Sequence, residues 1–277
     1  MGDRGLSWQV LRVGACRHPE ILSRRRGHIC PIGFPALVGL IHHPTFGAIL
    51  FDTGYAPRFF TATEAFPERL YRWATPVQYG PEDDLVTQLD RLGLKSSDIR
   101  AVIVSHFHGD HVAGLADFAK AQVFCARAGY AQIQGGTRFG RVRRGLLKTL
   151  VPESLKPVFF EDRPLVALPA QLAPFDRGVD VFGDGSLMAV ELPGHCAGHW
   201  GLWVGSETEA LFIGDAAWSM QAIVDDDPPP AFTTGLLGDT KAYRRTLKGL
   251  AAVAQRLEVI PSHCEVTARK WVAGYGV

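Results

Sequence analysis

The sequence predicts a four-layer α/β/β/α sandwich, two β-sheets packed face to face with helices on their outer surfaces. Three observations carry this. Short apolar, β-branched runs alternate with stretches of helical period in both halves of the chain. Turn formers are frequent, 30 Gly and 18 Pro in 277 residues, as many short connections require. A sheet that carries helices on one face still has a second face to bury, and a second sheet does that. With no internal repeat, low-complexity tract or linker, residues 1–277 read as one domain, and 47% hydrophobic residues suffice for a substantial core.

Strands are expected at Trp8–Val13, Ala36–Ile41, Ala48–Phe51, Ala101–Val104, Ser186–Leu192, Gly201–Val204, Ala210–Ile213 and Leu257–Ile260, where apolar residues cluster. Leu85, Leu89, Leu92 and Leu94 recur near helical spacing before the polar Ser96-Ser97-Asp98. A second helix is expected over Asp239–Leu257, with Asp239 placed to cap it and Ala and Leu at helical period behind it. Residues 135–176 crowd Arg138, Arg141, Arg143, Arg144 and Lys148 into one stretch and then scatter prolines. Two readings of it stand: a solvated helix face followed by loops, or a lid that favours an acidic substrate.

The 29 Lys and Arg balance 28 Asp and Glu to a formal charge of +1, so whole-molecule electrostatics argue for neither nucleic acid nor an anionic membrane as partner. Met1–Gln9 lacks the apolar core of a signal peptide and no apolar run is long enough to span a bilayer; a cytoplasmic location is expected. Five cysteines, odd in number and without a CxxC pair, argue against a disulfide framework or a Cys-rich zinc site. Cys196 and Cys264 each follow a histidine of interest, and small buried filler is their plain reading. The expected partner is a small-molecule substrate, on a monomer or homodimer.

The apolar run Ala101–Val104 breaks into Ser105-His106-Phe107-His108-Gly109-Asp110-His111. Side chains at the end of a buried strand stand on a rigid base and face a cleft, where a catalytic metal belongs. Three imidazoles and a carboxylate are the nitrogen and oxygen donors that zinc and similar ions prefer, and no Lys or Glu dilutes them. His-x-His-x-Asp-His after such a strand resembles the signature of the metallo-β-lactamase superfamily. Further matches follow in that family's order: Asp52-Thr53-Gly54 after an apolar strand, the loop Pro193-Gly194-His195-Cys196-Ala197-Gly198-His199, Gly214-Asp215 closing Ala210–Ile213, and His263.

That resemblance implies a metallo-β-lactamase-type sandwich holding two divalent ions, zinc in the first place, with manganese, iron and cobalt also accepted. His106, His108 and His195 would hold one ion, Asp110, His111 and His263 the other, and Asp215 would bridge them. A hydroxide between the ions would attack an acyl carbon or a phosphorus, with Asp110 or Asp215 carrying the proton. His199 and Asp52 are expected to orient ligands, whereas His18, His28, His42 and His43 match no ligand position. The amino-terminal half, Gly14-Ala15-Cys16-Arg17-His18-Pro19 through Ile49–Tyr55, is similar to the lactonase branch, so the expected substrate is a carboxylic ester, a lactone above all. Thioester or β-lactam hydrolysis stands as an alternative, as does a phosphodiesterase. Similar lactonases carry a tyrosine three residues after the bridging aspartate, where this chain has Trp218.

Overall fold

The computed structural model describes residues 5–275; Met1–Arg4, part of the stretch read above for a leader, lie outside them, as do Gly276 and Val277. One sheet comprises β1 (Ser7–Pro19), β2 (Pro31–His43), β3 (Gly47–Phe51), β4 (Val77–Gln78), β5 (Ile99–Ile103), β6 (Gln122–Cys125) and β7 (Val158–Phe159), in the spatial order 4-1-2-3-5-6-7. The other comprises β8 (Leu165–Ala167), β9 (Arg177–Asp180), β10 (Leu187–Glu191), β11 (Trp200–Val204), β12 (Ala210–Gly214) and β13 (Glu258–Pro261), in the order 13-12-11-10-9-8.

Three separate apolar cores show the four layers. Successive side chains of a strand point to opposite faces, and here neighbours divide accordingly: Leu37, Ile41, Ile49 and Ile103 pack between the sheets against Leu202, Phe212 and Ile260. Val38, Leu40, Leu50 and Val102 face the opposite side, under Phe59, Leu85 and Leu89 of the first helical layer. Beyond the second sheet, Val190, Leu211 and Val259 meet Leu247, Leu250 and Val253 of the helix Thr240–Val253. At Gly39 the sheets approach so closely that a Cβ would stand 2.8 Å from the Phe212 ring.

The expected strands are all present, several with shifted ends. β1 and β2 extend well past Val13 and His43's side of the expected Ala36–Ile41, because a bulge between Arg12 and Ala15 turns the β1 backbone and lets the hairpin pair out to Pro19 and Pro31. The first expected helix ends at Arg91, since Gly93 takes φ +76° and carries Leu94 out of the helix. Asp239 accepts hydrogen bonds from the N–H groups of Lys241 and Ala242, so the second is capped as expected, though it stops at Val253 before the turn into β13. The short β4 and β6 to β9 gave no alternation long enough to read. No helix among the described residues is long and apolar enough to cross a membrane.

Candidate metal centre

β3 and β5 run parallel, as do β12 and β13, while β10 and β12 point the same way on either side of β11. The segments leaving their carboxyl ends therefore converge, the usual place for a ligand in α/β sheets. β3 delivers Asp52, β5 the run His106–His111, β10 the loop bearing His195 and His199, β12 Asp215, and β13 His263. All seven predicted ligands come together, none more than 9% exposed.

Asp215 stands in the middle. Its Oδ1 lies 3.1 Å from Nε2 of both His111 and His263, and its Oδ2 lies 3.3 Å from His195 Nε2 and 3.8 Å from His106 Nε2. His195 Nε2 also faces His108 Nδ1 at 3.1 Å, and His263 Nε2 approaches Asp110 Oδ2 at 3.2 Å. Asp110, His111 and His263 thus form one group of donors and His106, His108 and His195 another, with one carboxylate between them.

The outward ring nitrogens decide which lone pairs face inward. His111 Nδ1–H donates to Asp52 Oδ2 at 2.7 Å and His263 Nδ1–H to the Pro35 carbonyl at 2.7 Å, leaving each Nε2 bare. His106 Nδ1 pairs with Ser105 Oγ, whose own proton goes to Asp52 Oδ2 at 2.7 Å. Asp52 also accepts the Ser105 N–H and holds φ +62°, a left-handed conformation that costs energy outside glycine and marks a position fixed by its surroundings. His199 donates Nδ1–H to the Leu192 carbonyl and accepts the Asp215 N–H at Nε2. It braces the aspartate with both nitrogens occupied.

Burial holds His106 and His195 below the ordinary imidazole range and lowers His199 to about 4. Burial works the same way on His111 and His263, yet at both the neighbouring Asp215 overrides it, helped by Asp52 or Asp110, raising His111 to about 10 and His263 well above its ordinary value. For Asp110 and Asp215 burial opposes ionisation, but the facing histidines hold both carboxyls below their usual range. Two buried carboxylates here call for positive charge. In addition, Nε2 of His106 and His111 and Oδ1 of Asp215 are buried without a hydrogen-bond partner, each costing about 1–3 kcal/mol if left so. Convergent imidazole and carboxylate donors of this kind suit divalent metal ions. Cys196 Sγ lies among the donors His106, His108 and His195, but burial raises its pKa and keeps it a neutral thiol. Cys264 is buried and accepts the Met220 N–H.

Above the cluster opens a cavity of about 470 Å³, mostly apolar, whose floor includes His108, Asp110 and Asp215. Its walls come from four places: Cys16, His18 and Leu22; Tyr55 and the helix Arg69–Ala74; residues 139–145; and Trp218 with the helix Ala231–Leu237. The basic stretch presents Arg138, Arg143, Arg144 and Lys148 to solvent, as the first reading expects, and its other side belongs to the cavity. Phe139 and Val142 of the helix Arg138–Arg143 line the cavity, Leu146 bridges to the His108 backbone, Arg138 pairs with Glu68, and Arg141 is spent on the carbonyls of Gly135 and Gly136. His18, given no role from the sequence, stacks on Phe34 at 4.1 Å and meets the edge of Trp218 at 4.8 Å. Tyr71 was also missed: its hydroxyl donates to Asp110 Oδ1 at 3.3 Å. No local signal marks it, because its meeting with Asp110 depends on how a distant helix packs.

Residues 32–263 match the family model described as the metallo-beta-lactamase superfamily. Among curated proteins, an N-acyl homoserine lactonase AttM of Azorhizobium caulinodans is 26% identical over 192 residues, 66% of this chain and 64% of its own length. An N-acyl homoserine lactonase AiiB of Agrobacterium fabrum is 26% identical over 219 residues, 76% of this chain and 72% of its own length. Among solved structures, an N-acyl homoserine lactone hydrolase with N-hexanoyl-L-homoserine at its catalytic metal centre superposes with TM-score 0.73 at 18% identity, covering 95% of each chain. At that identity the likeness concerns the fold.

Proposed function

The chain belongs to the metallo-β-lactamase superfamily, and from that premise we propose that it is a dinuclear-metal hydrolase that opens a carboxylic ester ring, a lactone. The observation that carries the reading is Asp215, whose two oxygens face two separate groups of histidine and aspartate donors across 3.1–3.8 Å. His106, His108 and His195 would hold one ion and Asp110, His111 and His263 the other, with Asp215 shared. The donor set of neutral imidazoles and carboxylates suits zinc, with manganese, iron or cobalt as substitutes. When bound, such ions acidify water near neutral pH and bring positive charge to an acyl oxygen.

The protein's own groups do the rest. Asp52, Ser105, Pro35 and His199 hold the ligand rings and Asp215 in one orientation, so little reorganisation accompanies reaction. Asp110, at 9% exposed the most open of the three site carboxylates, is the group that takes a proton from water and returns it to the departing ring oxygen. The apolar walls shelter that transfer from bulk water and suit a substrate with a hydrocarbon portion. A lactone is favoured over a phosphodiester because the cavity lining is mostly apolar, with Arg143 its one arginine. Lactone-acting relatives at low identity support the same choice.

The test is a substrate panel on zinc-loaded protein, comprising lactones, thioesters, aryl esters, β-lactams and phosphodiesters, with bound metal counted per chain and His111→Ala alongside. Lactone opening that His111→Ala loses is the expected result. Phosphodiester cleavage with no acyl hydrolysis would overturn the reading.

A further inference from the structure

We propose that Tyr71 is a catalytic residue, the phenol whose O–H serves the acyl oxygen of the bound substrate. The inference rests on the ester-hydrolase reading above.

Trp218 is committed as a wall. Its ring lies 5.2 Å from the His263 ring, 4.8 Å from His18 and 5.5 Å from Phe34, so position 218 contributes packing to the cavity wall. Tyr71 enters from the other side, on the helix Arg69–Ala74, and lines the same cavity as His108, Asp110 and Asp215. Tyr55 is the other phenol of that wall, but it is only 1% exposed and its hydroxyl is bound to Cys16.

The Tyr71 ring is built against the ligand loop itself. Phe59 meets it edge to face at 5.4 Å, and a Cβ added at Gly109 would stand 3.1 Å from the Tyr71 ring and 2.9 Å from Phe59. The glycine inside His-x-His-Gly-Asp-His thus makes room for this tyrosine, and its ring position is fixed by packing rather than by its hydroxyl. The hydroxyl donates to Asp110 Oδ1, while Asp110 Oδ2 turns to His263. At 3.3 Å that bond is longer than the ~2.7–2.8 Å usual for O–H···O, so the proton is held loosely and can turn to a better acceptor. An acyl oxygen gaining negative charge between Asp110 and the cavity is such an acceptor. The O–H bond stays intact throughout: Tyr71 contributes a dipole, and proton transfer is left to Asp110.

The test compares wild type with Tyr71→Phe, which keeps the ring that packs on Phe59 and Gly109. Three quantities are measured on zinc-loaded protein: metal per chain, kcat and KM for a lactone the wild type opens, and the calorimetric affinity for hexanoate as a carboxylate probe. Expected are an unchanged metal count, a kcat lower by about 10- to 100-fold with KM altered far less, and hexanoate binding weakened several-fold. Unchanged kcat and hexanoate affinity would overturn the proposal, and so would loss of a metal equivalent, which would make Tyr71 only an anchor for Asp110. If the wild type opens no lactone, the substrate reading fails by itself. Hexanoate affinity then decides the role of Tyr71 without turnover, weaker binding by the variant supporting it and equal binding overturning it.

Discussion

The floor and the walls of the cavity are built on opposite plans. On the floor, seven donors hang from the ends of paired strands, and their supporting groups are tied again behind them: Asp52 alone holds His111, the Ser105 N–H and the Ser105 hydroxyl. The walls combine strand, loop and short-helix residues from four segments, and toward the mouth they expose large apolar side chains such as Phe139, 56% exposed, and Leu236, 43% exposed. A buried polar network held by directed bonds of this kind has few alternative arrangements. An apolar rim with few directed bonds is free to change its shape from one sequence to another. On the proposed reading, the chemistry would reside in the floor and the choice of substrate in the walls.

The sharpest break of this contrast comes at the centre of the floor. Asp215→Asn preserves the shape of the side chain and removes the charge shared by both donor groups. We expect kcat to fall by about 10³-fold or more and one metal equivalent to be lost, read by elemental analysis alongside turnover. Retention of full metal content and activity would mean that the carboxylate is not shared.

The same contrast explains what was legible in the sequence. His106, His108, Asp110 and His111 occupy six consecutive positions after an apolar strand, so their common destination could be read locally; His195, Asp215 and His263 follow their own strands in the same manner. The three-core sandwich was legible because β2, β3 and β5 are apolar on both faces. The walls were not, since Tyr71 acquires its role from Asp110, 39 residues on, and His18 from Trp218, 200 residues on. The helix Ala231–Leu237, preceded by three prolines and carrying Gly235, gave too weak a periodic signal to be noticed. That Arg138 pairs with Glu68 and Arg141 with two carbonyls cannot be seen in one dimension, so a solvated face and a lid both stand as readings of that stretch.

A milder disturbance of the floor lies one bond further out. Asp52→Ala leaves every ligand in place but removes the acceptor that fixes the His111 ring and the Ser105 loop. Loss of such a support typically weakens metal binding by about 10- to 100-fold, and chelator competition should show that weakening while a single tight equivalent persists on His106, His108 and His195. An unaltered affinity would show that the floor does not depend on its second row of bonds.

His18 joins floor to wall and supplies a pH test. Burial lowers its pKa to about 4 from an ordinary 6.5, against the partial opposition of a hydrogen bond to the Pro19 carbonyl; His263 lowers it further, while Asp110 and Asp215 raise it. The unfolded chain therefore takes the proton first. The neutral ring's contribution is complete above pH 6.5 and is lost as the pH falls toward 4. In metal-free protein, His18→Phe keeps a ring against Phe34 and should flatten the acid slope of stability over that interval, by on the order of 1–2 kcal/mol at pH 5 in denaturant titrations. A variant as acid-sensitive as the wild type would assign the slope elsewhere.

The smallest effect is expected at the rim, and there the contrast is most easily lost. Phe139→Ala and Leu236→Ala truncate half-exposed side chains that line the mouth and carry no hydrogen bonds to the floor. Their removal should leave the metal count and the unfolding midpoint nearly unchanged, because surface substitutions of this kind cost about 0.5 kcal/mol or less. What should shift is selectivity. Each buried CH₂ contributes about 0.8 kcal/mol, roughly a factor of four per methylene, so the variants should lose part of the preference for long alkyl chains over short ones while kcat on the shortest substrate holds. Should both variants instead lower kcat on every chain length alike, the walls would be part of the chemistry, and the division between a fixed floor and an adaptable rim would fail.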